Sequence, residues 1–381
     1  MITRRSFISG SAVLGAVPTM ARAAAGPGLV EVGPNRQVKT LSHAARIPGA
    51  RTVLVDPGTY REACEFRAPI TLQAADWQPG RKPSVIIDAG NRTSDRRAPG
   101  IPLPEDKAVI LCKADSVIRG FEIVGATGRD AINAAAVRNE PGRNVTIEDC
   151  DFHHNQANLL VTGGEIVVRR TALHHNTSDN QQHNLYYASF QNVAPGTLLV
   201  EDCRIYHSAN GNNLKSNART TTVRRSYIGT VPVPNGTSSG GSWMAPRPED
   251  PAQEWLFRHP GCVSDGTTCD GKELDISFGG DLLVEDCHIL KASNGSGFFI
   301  GYGFEGAHPG RPTVLVQRCK FYKERDPCYF GNRVPGAHLV IRDSSFAGSY
   351  DNQPCVLDTT DPATKRPAPG ATIELIDCRG R

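Results

Sequence analysis

The chain has 381 residues, a formal net charge of +3 with its eleven histidines counted as neutral, and a hydrophobic fraction of 39%. A charge so near zero, with no basic stripe, gives no case for nucleic-acid binding, and the composition excludes both a disordered chain and collagen. The 38 glycines and 27 prolines favour many short strands joined by turns over a helical bundle.

The N-terminus carries the features of an export signal. Thr3–Ile8 (TRRSFI) is a twin-arginine pattern, an apolar stretch follows as far as Val17, and small residues precede Ala24. We therefore expect residues 1–23 to be a twin-arginine signal peptide and the remaining protein, residues 24–381, to be periplasmic or secreted. No later segment approaches the ~20 apolar residues that cross a bilayer, so we expect no membrane span.

One short motif recurs through most of the chain, and its clearest copy is Val145–Phe152 (VTIEDCDF). Each copy has two apolar residues two apart, a charged corner, a small residue and another apolar residue, which describes two strands that meet at a tight bend. The spacing of the copies is typical of the coils of a solenoid rather than of a domain repeat. The small position aligns across the copies as Cys150, Thr171, Cys203, Ser226, Cys287, Cys319, Ser344 and Cys378.

The cysteines of this column are predicted to be structural. Parallel coils lie ~4.8 Å apart, so the column stacks inside the bend, where an unpaired cysteine behaves as a small hydrophobic residue. A disulfide ladder between neighbouring coils, for example between Cys287 and Cys319, is the alternative. Elsewhere in this exported chain, Cys262 and Cys269 are the best candidates for a disulfide.

The early part of the chain also fits a coil pattern, in Thr52–Tyr60 with Glu62, Ile70–Gln73 and Ser84–Gly90. Together with the repeat, these segments resemble proteins of the pectate-lyase-like superfamily. The resemblance implies an all-β fold, a single-stranded right-handed parallel β-helix (a solenoid) with loop insertions, and a carbohydrate-active enzyme that takes a polysaccharide as its partner. The chain lacks the aspartate pair and Gly-His-Gly of polygalacturonases, and also the arginine-proline signature of pectate lyases.

A third type of strand lies between the copies of the repeat, in Asn158–Val161, Asn184–Tyr187, Asn213–Ser216 and Glu273–Ile276. If the leucine of each segment points inward, its neighbours point outward in two columns. We expect one column to hold Asn158, Asn184, Asn213 and Glu273, and the other to hold Leu160, Tyr186, Lys215 and Asp275. This patch is either a functional site or a solvated face that keeps the protein soluble.

Other polar and aromatic residues flank this patch. We expect His183, Arg219 and Arg225 to join it, with Asn184, Tyr302 and Glu305 as substrate-binding residues. An irregular insertion at about 229–272 breaks the period; its Trp243 and Trp255 would wall a groove and stack on sugar rings, unless the insertion is a disordered appendage. The paired histidines His153-His154 and His174-His175 favour a stacked polar turn over a metal site.

These residue types suit β-elimination from a uronic acid, which needs a base, cations for the carboxylate and an acid for the leaving oxygen. Lys215 would be the base if Arg219 and Arg225 lower its pKa, or the two arginines would bind the carboxylate instead. Tyr186 or His183 would be the acid. The oxygens of Asn213, Glu273 and Asp275 would suit Ca²⁺.

The segment 212–216 resembles the lysine-serine segment of the alginate lyase and chondroitinase B branch, although the acidic residues come one coil later here. Glycoside hydrolysis by Glu273 and Asp275 is an alternative, because two carboxyl groups must flank the bond that breaks. A uronate C5-epimerase shares the first step of the lyase. A non-catalytic glycan-binding β-helix is the alternative outside enzymes.

Overall fold

The structure is a computed structural model that describes residues 28–91, 100–129, 133–176, 183–208, 211–229, 272–291, 298–323, 329–348, 355–361 and 363–380. Within these residues the elements of the first half are β1 (Leu29–Val32), α1 (Leu41–Ala44), β2 (Thr52–Val55), β3 (Gly58–Tyr60), β4 (Cys64–Phe66), β5 (Ile70–Ala74), β6 (Val85–Asp88), a 3₁₀ turn (Pro104–Asp106), β7 (Ala108–Cys112), β8 (Ser116–Arg119), β9 (Phe121–Val124), β10 (Ala135–Asn139), β11 (Val145–Glu148), β12 (Asp151–His153), β13 (Ala157–Thr162), β14 (Glu165–Arg169), β15 (Ala172–Asn176) and β16 (Leu185–Ala188).

The remaining strands are β17 (Thr197–Glu201), β18 (Arg204–Ser208), β19 (Leu214–Ser216), β20 (Thr220–Arg224), β21 (Tyr227–Gly229), β22 (Leu274–Ile276), β23 (Asp281–Glu285), β24 (His288–Lys291), β25 (Ile300–Tyr302), β26 (Val314–Gln317), β27 (Lys320–Lys323), β28 (Tyr329–Asn332), β29 (His338–Arg342), β30 (Ser345–Gly348), β31 (Val356–Asp358) and β32 (Thr372–Ile376). Within the described residues, none of the helices could span a lipid bilayer.

The strands form three parallel sheets, each of which takes one strand from successive coils. Sheet 1 has the order β1-β2-β5-β8-β11-β14-β17-β20-β23-β26-β29-β32. Sheet 2 runs from β3 through β6, β9 and β12 to β30, and sheet 3 runs from β4 through β7 and β10 to β31. The predicted all-β solenoid is confirmed, and the copies of the repeat supply the strand pairs of sheets 1 and 2.

The tight bend between sheets 1 and 2 explains the charged corner of the repeat. The residue before each small position adopts a left-handed backbone, with φ of 54° at Asp149, 45° at Arg170, 54° at Asp202 and 47° at Arg225. Acidic and basic residues alternate here on successive coils, so Arg170 forks onto Asp149 with two bonds of 2.9 Å. These pairs tie one coil to the next on the outside of the bend.

The small residues themselves lie inside this bend. Cys150, Cys203, Cys287 and Cys319 are buried and carry free thiols, as predicted, rather than a disulfide ladder. Burial raises the pKa of Cys150 and Cys203 to about 12, so these thiols stay protonated and inert. The proposed Cys262–Cys269 disulfide lies outside the described residues.

Candidate functional site

The outward row predicted on the third strand is present in sheet 3. Tyr186 on β16 is in register with Lys215 on β19, and Lys215 is in register with Asp275 on β22. The row continues through Gly301 and Gly331 on β25 and β28. The prediction that Tyr186, Lys215 and Asp275 share one face on neighbouring coils is therefore confirmed.

Lys215 is the centre of this row. Its Nζ lies 2.5 Å from Oε1 of Glu305 and 5.3 Å from the centroid of the Tyr186 ring. Its side chain is only 13% exposed, whereas that of Glu305 is 43% exposed. Although burial acts to lower it, the pKa of Lys215 is raised, because the bond to Glu305 and the nearby Tyr186 and Asp275 favour the charged amine. Lys215 is therefore an ammonium ion at neutral pH.

The two arginines expected beside Lys215 lie elsewhere, and this corrects the basis for a lysine base. Arg225 sits on the bend between sheets 1 and 2, where its guanidinium pairs with Asp202 at 2.9 Å and with Glu201. Arg219 is exposed on the segment between β19 and β20, where its backbone bonds to Gly196 and Asp281 at the start of sheet 1. Neither arginine is placed to depress the pKa of Lys215 or to hold a carboxylate there.

Tyr186 and His183 form the near side of the site. Their rings meet edge to face with centroids 5.0 Å apart. Burial raises the pKa of Tyr186, so its phenol keeps its proton at neutral pH. Burial, together with the charges of Lys215 and Lys272, lowers the pKa of His183 to about 3. Because Nδ1 of His183 accepts a hydrogen bond of 2.9 Å from the backbone N–H of Asn212, the neutral ring carries its proton on Nε2.

Asp275 lies in the row but is only 2% exposed. Its Oδ2 accepts a bond of 2.7 Å from Nδ2 of Asn212 and lies 3.2 Å from Nζ of Lys272. Asn212 and Lys272 were not among the predicted site residues. Lys272 closes the irregular insertion, and the sequence pattern does not predict its position relative to the row. Two lysines, Lys215 in the row and Lys272 next to it, thus each lie beside a carboxylate.

The other predicted column is not outward, and this corrects the expectation for Asn184, Asn213 and Glu273. These residues lie at the bend between sheets 2 and 3, and all three are at most 1% exposed. Nδ2 of Asn184 donates to Oδ1 of Asn213 at 2.8 Å, and Nδ2 of Asn213 donates to Oε2 of Glu273 at 2.6 Å. Asn158 extends the same ladder, and its Nδ2 donates to Asn184 at 2.7 Å.

This ladder does not fit Ca²⁺. An amide nitrogen rather than an oxygen faces Glu273, whose other oxygen Oε1 lies 3.5 Å from Nζ of the buried Lys291. Asp275 belongs to the other row and is beside Lys272. A hard cation needs several oxygens that converge, and the described residues contain no group of three or more histidine, cysteine or acidic side chains arranged for a metal.

Tyr302 is also inside the solenoid rather than on a groove. Its side chain is fully buried in the hydrophobic core, and its hydroxyl donates to the carbonyl of Gly280 at 2.6 Å. The turn that follows it, residues 303–308, folds back over the outer face of sheet 3. The Glu305 amide donates to the Ser277 carbonyl and the His308 amide to the Phe278 carbonyl, both at 2.8 Å. We call this turn the strap; it is what brings Glu305 to Lys215.

Trp243 and Trp255 lie outside the described residues. The two ends of the insertion are described: β21 ends at Gly229, and the chain is described again from Lys272, the residue beside Asp275. The C-terminal end of the insertion therefore belongs to the candidate site.

The paired histidines form the stacked turn that the sequence favoured. His153 stacks on His174 with centroids 4.9 Å apart, and His174 stacks on Tyr206 at 4.7 Å. In the adjacent column His175 stacks on His207 at 4.7 Å. The stack lies on strands β12, β15 and β18 of sheet 2, toward their C-terminal ends.

No protein-family model matches the chain, and no curated protein matches it in sequence. Among solved structures, pectate lyase Pel9A is similar with 14% identity and a TM-score of 0.50, over 84% of this chain and 77% of the lyase. A pectin methylesterase from Aspergillus niger is 11% identical with a TM-score of 0.36, over 94% of this chain and 87% of the esterase. This chain therefore shares the right-handed parallel β-helix fold of pectate lyase Pel9A.

Proposed function

We propose that this protein is an enzyme that cleaves an acidic, uronate-containing polysaccharide by β-elimination on the outward face of sheet 3. The observation that carries the proposal is the recessed, charged Lys215 between the phenol of Tyr186 and the carboxylate of Glu305. The fold shared with a pectate lyase supports a polysaccharide substrate, as an analogy of fold.

Lys215 binds the uronate carboxylate in this proposal. An ammonium ion shielded from water stabilises the negative charge that grows on the carboxylate side when the neighbouring carbon loses its proton. Glu305 occupies Lys215 in the absence of substrate and is the more exposed partner. The substrate carboxylate takes its place.

Glu305 then serves as the base. Once released from Lys215, its carboxylate remains on the strap beside the bound uronate, and glutamate is a known base for protons next to a carbonyl group. It takes the proton from C5, and the electrons of that C–H bond form the C4–C5 double bond as the C4–O4 bond breaks. This assignment replaces the lysine base, because the raised pKa of Lys215 opposes that role.

Tyr186 donates the proton that O4 needs as it leaves. Its raised pKa keeps the phenol protonated until that step. The neutral His183 adds an Nε2–H donor next to the phenol. The proton on Glu305 returns to Tyr186 through solvent, so the products are an unsaturated uronate end and a new reducing end.

We also propose that the protein works outside the cytoplasm. This rests on the twin-arginine pattern of residues 3–8, and residues 1–23 lie outside the described part of the chain. Fractionation of cells that produce the full chain tests it: we expect a shortened protein in the periplasm or medium, and full-length protein in the cytoplasm would contradict it.

The activity is tested with purified protein and a panel of pectic, alginate and glucuronate-containing polymers, with and without a chelator. Elimination produces ultraviolet absorbance from the unsaturated uronate together with reducing ends. Reducing ends without absorbance would indicate hydrolysis. Of the carboxyl pair predicted for hydrolysis, Glu273 and Asp275, Glu273 is buried in the ladder. Solvent deuterium at C5 without cleavage would indicate epimerisation, and binding alone would indicate a glycan-binding module.

A further inference from the structure

Beyond Lys215, two more cations lie on the same outer face and share one aromatic ring. Nζ of Lys272 is 4.5 Å, and Cζ of Arg333 is 3.6 Å, from the centroid of the Phe304 ring. Phe304 comes from the strap, one residue before Glu305. The strap therefore places a counter-ion on Lys215 and a supporting ring beneath two other cations.

Two glycines make room for this arrangement. Gly301 and Gly331 occupy the outward row where Tyr186 and Lys215 carry side chains. A Cβ at Gly331 would lie 2.6 Å from Phe304, and one at Gly301 would collide with Lys272. Side chains at these two positions would exclude the Phe304 ring and the Lys272 side chain, so the two glycines leave the space that both occupy.

The guanidinium of Arg333 keeps hydrogen-bonding capacity. Among the described residues, the nearest carboxylate oxygen is Oδ2 of Asp358, which is 3.6 Å from Nη2 and therefore too far for a hydrogen bond. The Nε of Arg333, which is buried, has no hydrogen-bond partner among these residues either. Its side chain is 18% exposed and that of Lys272 is 19% exposed, so both cations are recessed like Lys215. A guanidinium stacked on a ring still presents its edge to a carboxylate.

From this arrangement we infer that Lys272 and Arg333, supported by Phe304, form a second carboxylate-binding subsite. This subsite binds another acidic sugar of the polysaccharide that has its reacting uronate at Lys215. The inference therefore rests on the proposed function. Arg333 follows β28, which is three coils from β19, or ~14 Å at ~4.8 Å per coil. The polysaccharide lies along the solenoid axis, and the protein binds several of its acidic sugars.

The test measures binding of uronic acid oligomers of one to four residues by calorimetry, in a Tyr186→Phe background that binds but does not turn over. Arg333→Gln is expected to weaken the longest oligomers about tenfold or more, as for the loss of a charged hydrogen-bond partner, and to leave the single uronate unchanged. Phe304→Leu should show the same length dependence with a smaller loss. Arg81→Gln is the matched control, because Arg81 is 52% exposed and pairs only with Asp76 among the described residues.

An equal loss for every oligomer length, or no loss, would overturn the subsite. If the protein with Arg333 intact cleaves acidic polymers but Arg333→Gln binds the long oligomers equally well, the subsite fails while the proposed function stands. If no acidic oligomer binds the unmodified site, both fail. Thermal unfolding of each variant establishes that a lost affinity does not come from a lost fold.

Discussion

Lys215 and Glu305 are ninety residues apart in sequence, yet Nζ of Lys215 lies 2.5 Å from Oε1 of Glu305 on the outer face of sheet 3. The lysine is recessed and the glutamate is exposed, so the pair opens toward solvent on its acidic side. An incoming carboxylate therefore meets the glutamate first and reaches the lysine by replacing it. Substitution of each residue separates their roles.

Lys215→Gln should lower kcat/KM on an acidic polysaccharide by about 10²–10³-fold, the usual cost of removing a group that stabilises developing negative charge. The substitution removes the charge and keeps a side chain of similar length, so the fold should persist. Steady-state absorbance assays measure the effect, with Lys39→Gln as the control, since Lys39 is exposed and contacts a backbone carbonyl. Unchanged kinetics in Lys215→Gln would rule out the carboxylate-binding role.

Glu305→Gln should lower kcat by about 10²–10⁴-fold if Glu305 is the base. If Glu305 were only a counter-ion that blocks Lys215, the opposite would be expected. Its removal would then tighten substrate binding and leave kcat unchanged. Steady-state kinetics of the variant separate the two roles, and a kcat equal to that of the parent protein would contradict the base.

The buried ladder should stabilise the fold. Asn213→Leu removes the acceptor of a bond from Nδ2 of Asn184 and the donor of a bond to Oε2 of Glu273, both at interior positions. We expect a loss of about 1–3 kcal/mol in the free energy of unfolding, because water does not replace these bonds in the interior. Urea unfolding measures it, with the exposed Asn35→Ala as the control. A variant as stable as the parent protein would show that the ladder is energetically neutral.

Acid should unfold the protein through its histidine stack. Burial lowers the pKa of His207 to about 3 and that of His175 well below its usual value. The unfolded chain binds these protons near pH 6.5 and the folded chain does not, so stability is greatest above that pH and falls as the pH drops toward 3. Each histidine contributes a slope of about 1.4 kcal/mol per pH unit in that window.

Unfolding free energies between pH 7 and 4 measure this slope. His207→Gln should flatten it, whereas Asn35→Ala should not, because Asn35 is exposed and its side chain does not titrate. The same slope in both variants would place the acid sensitivity outside the stack.

The repeat predicted the fold because its information is local and periodic. Cys150 and its counterparts mark one bend per coil, and the Tyr186, Lys215 and Asp275 row followed from aligning the strands between them. The same alternation failed for Asn184, because two consecutive residues, Asn184 and Leu185, both turn inward at the bend before β16. Alternation describes a strand but not the corner that precedes it.

The contacts of the site depend on loops, which the periodicity does not encode. Glu305 was expected to flank the patch, but its contact with Lys215 depends on how the strap folds back. Arg225 appeared close because it is ten residues from Lys215, yet the chain turns from sheet 3 into sheet 1 in between, and Arg225 lies on the next bend. The sequence pattern did not indicate Arg333 or Lys272 as site residues. Both lie against the Phe304 ring, and that arrangement fits only because Gly301 and Gly331 carry no side chains.

A crystal structure of the Tyr186→Phe variant with an acidic trisaccharide tests the roles of Lys215 and Glu305 together. We expect a uronate carboxylate at hydrogen-bonding distance from Nζ of Lys215, with Glu305 displaced toward C5 of the same sugar. A saccharide bound on another face of the solenoid, or on this face with Glu305 still paired to Lys215, would contradict it.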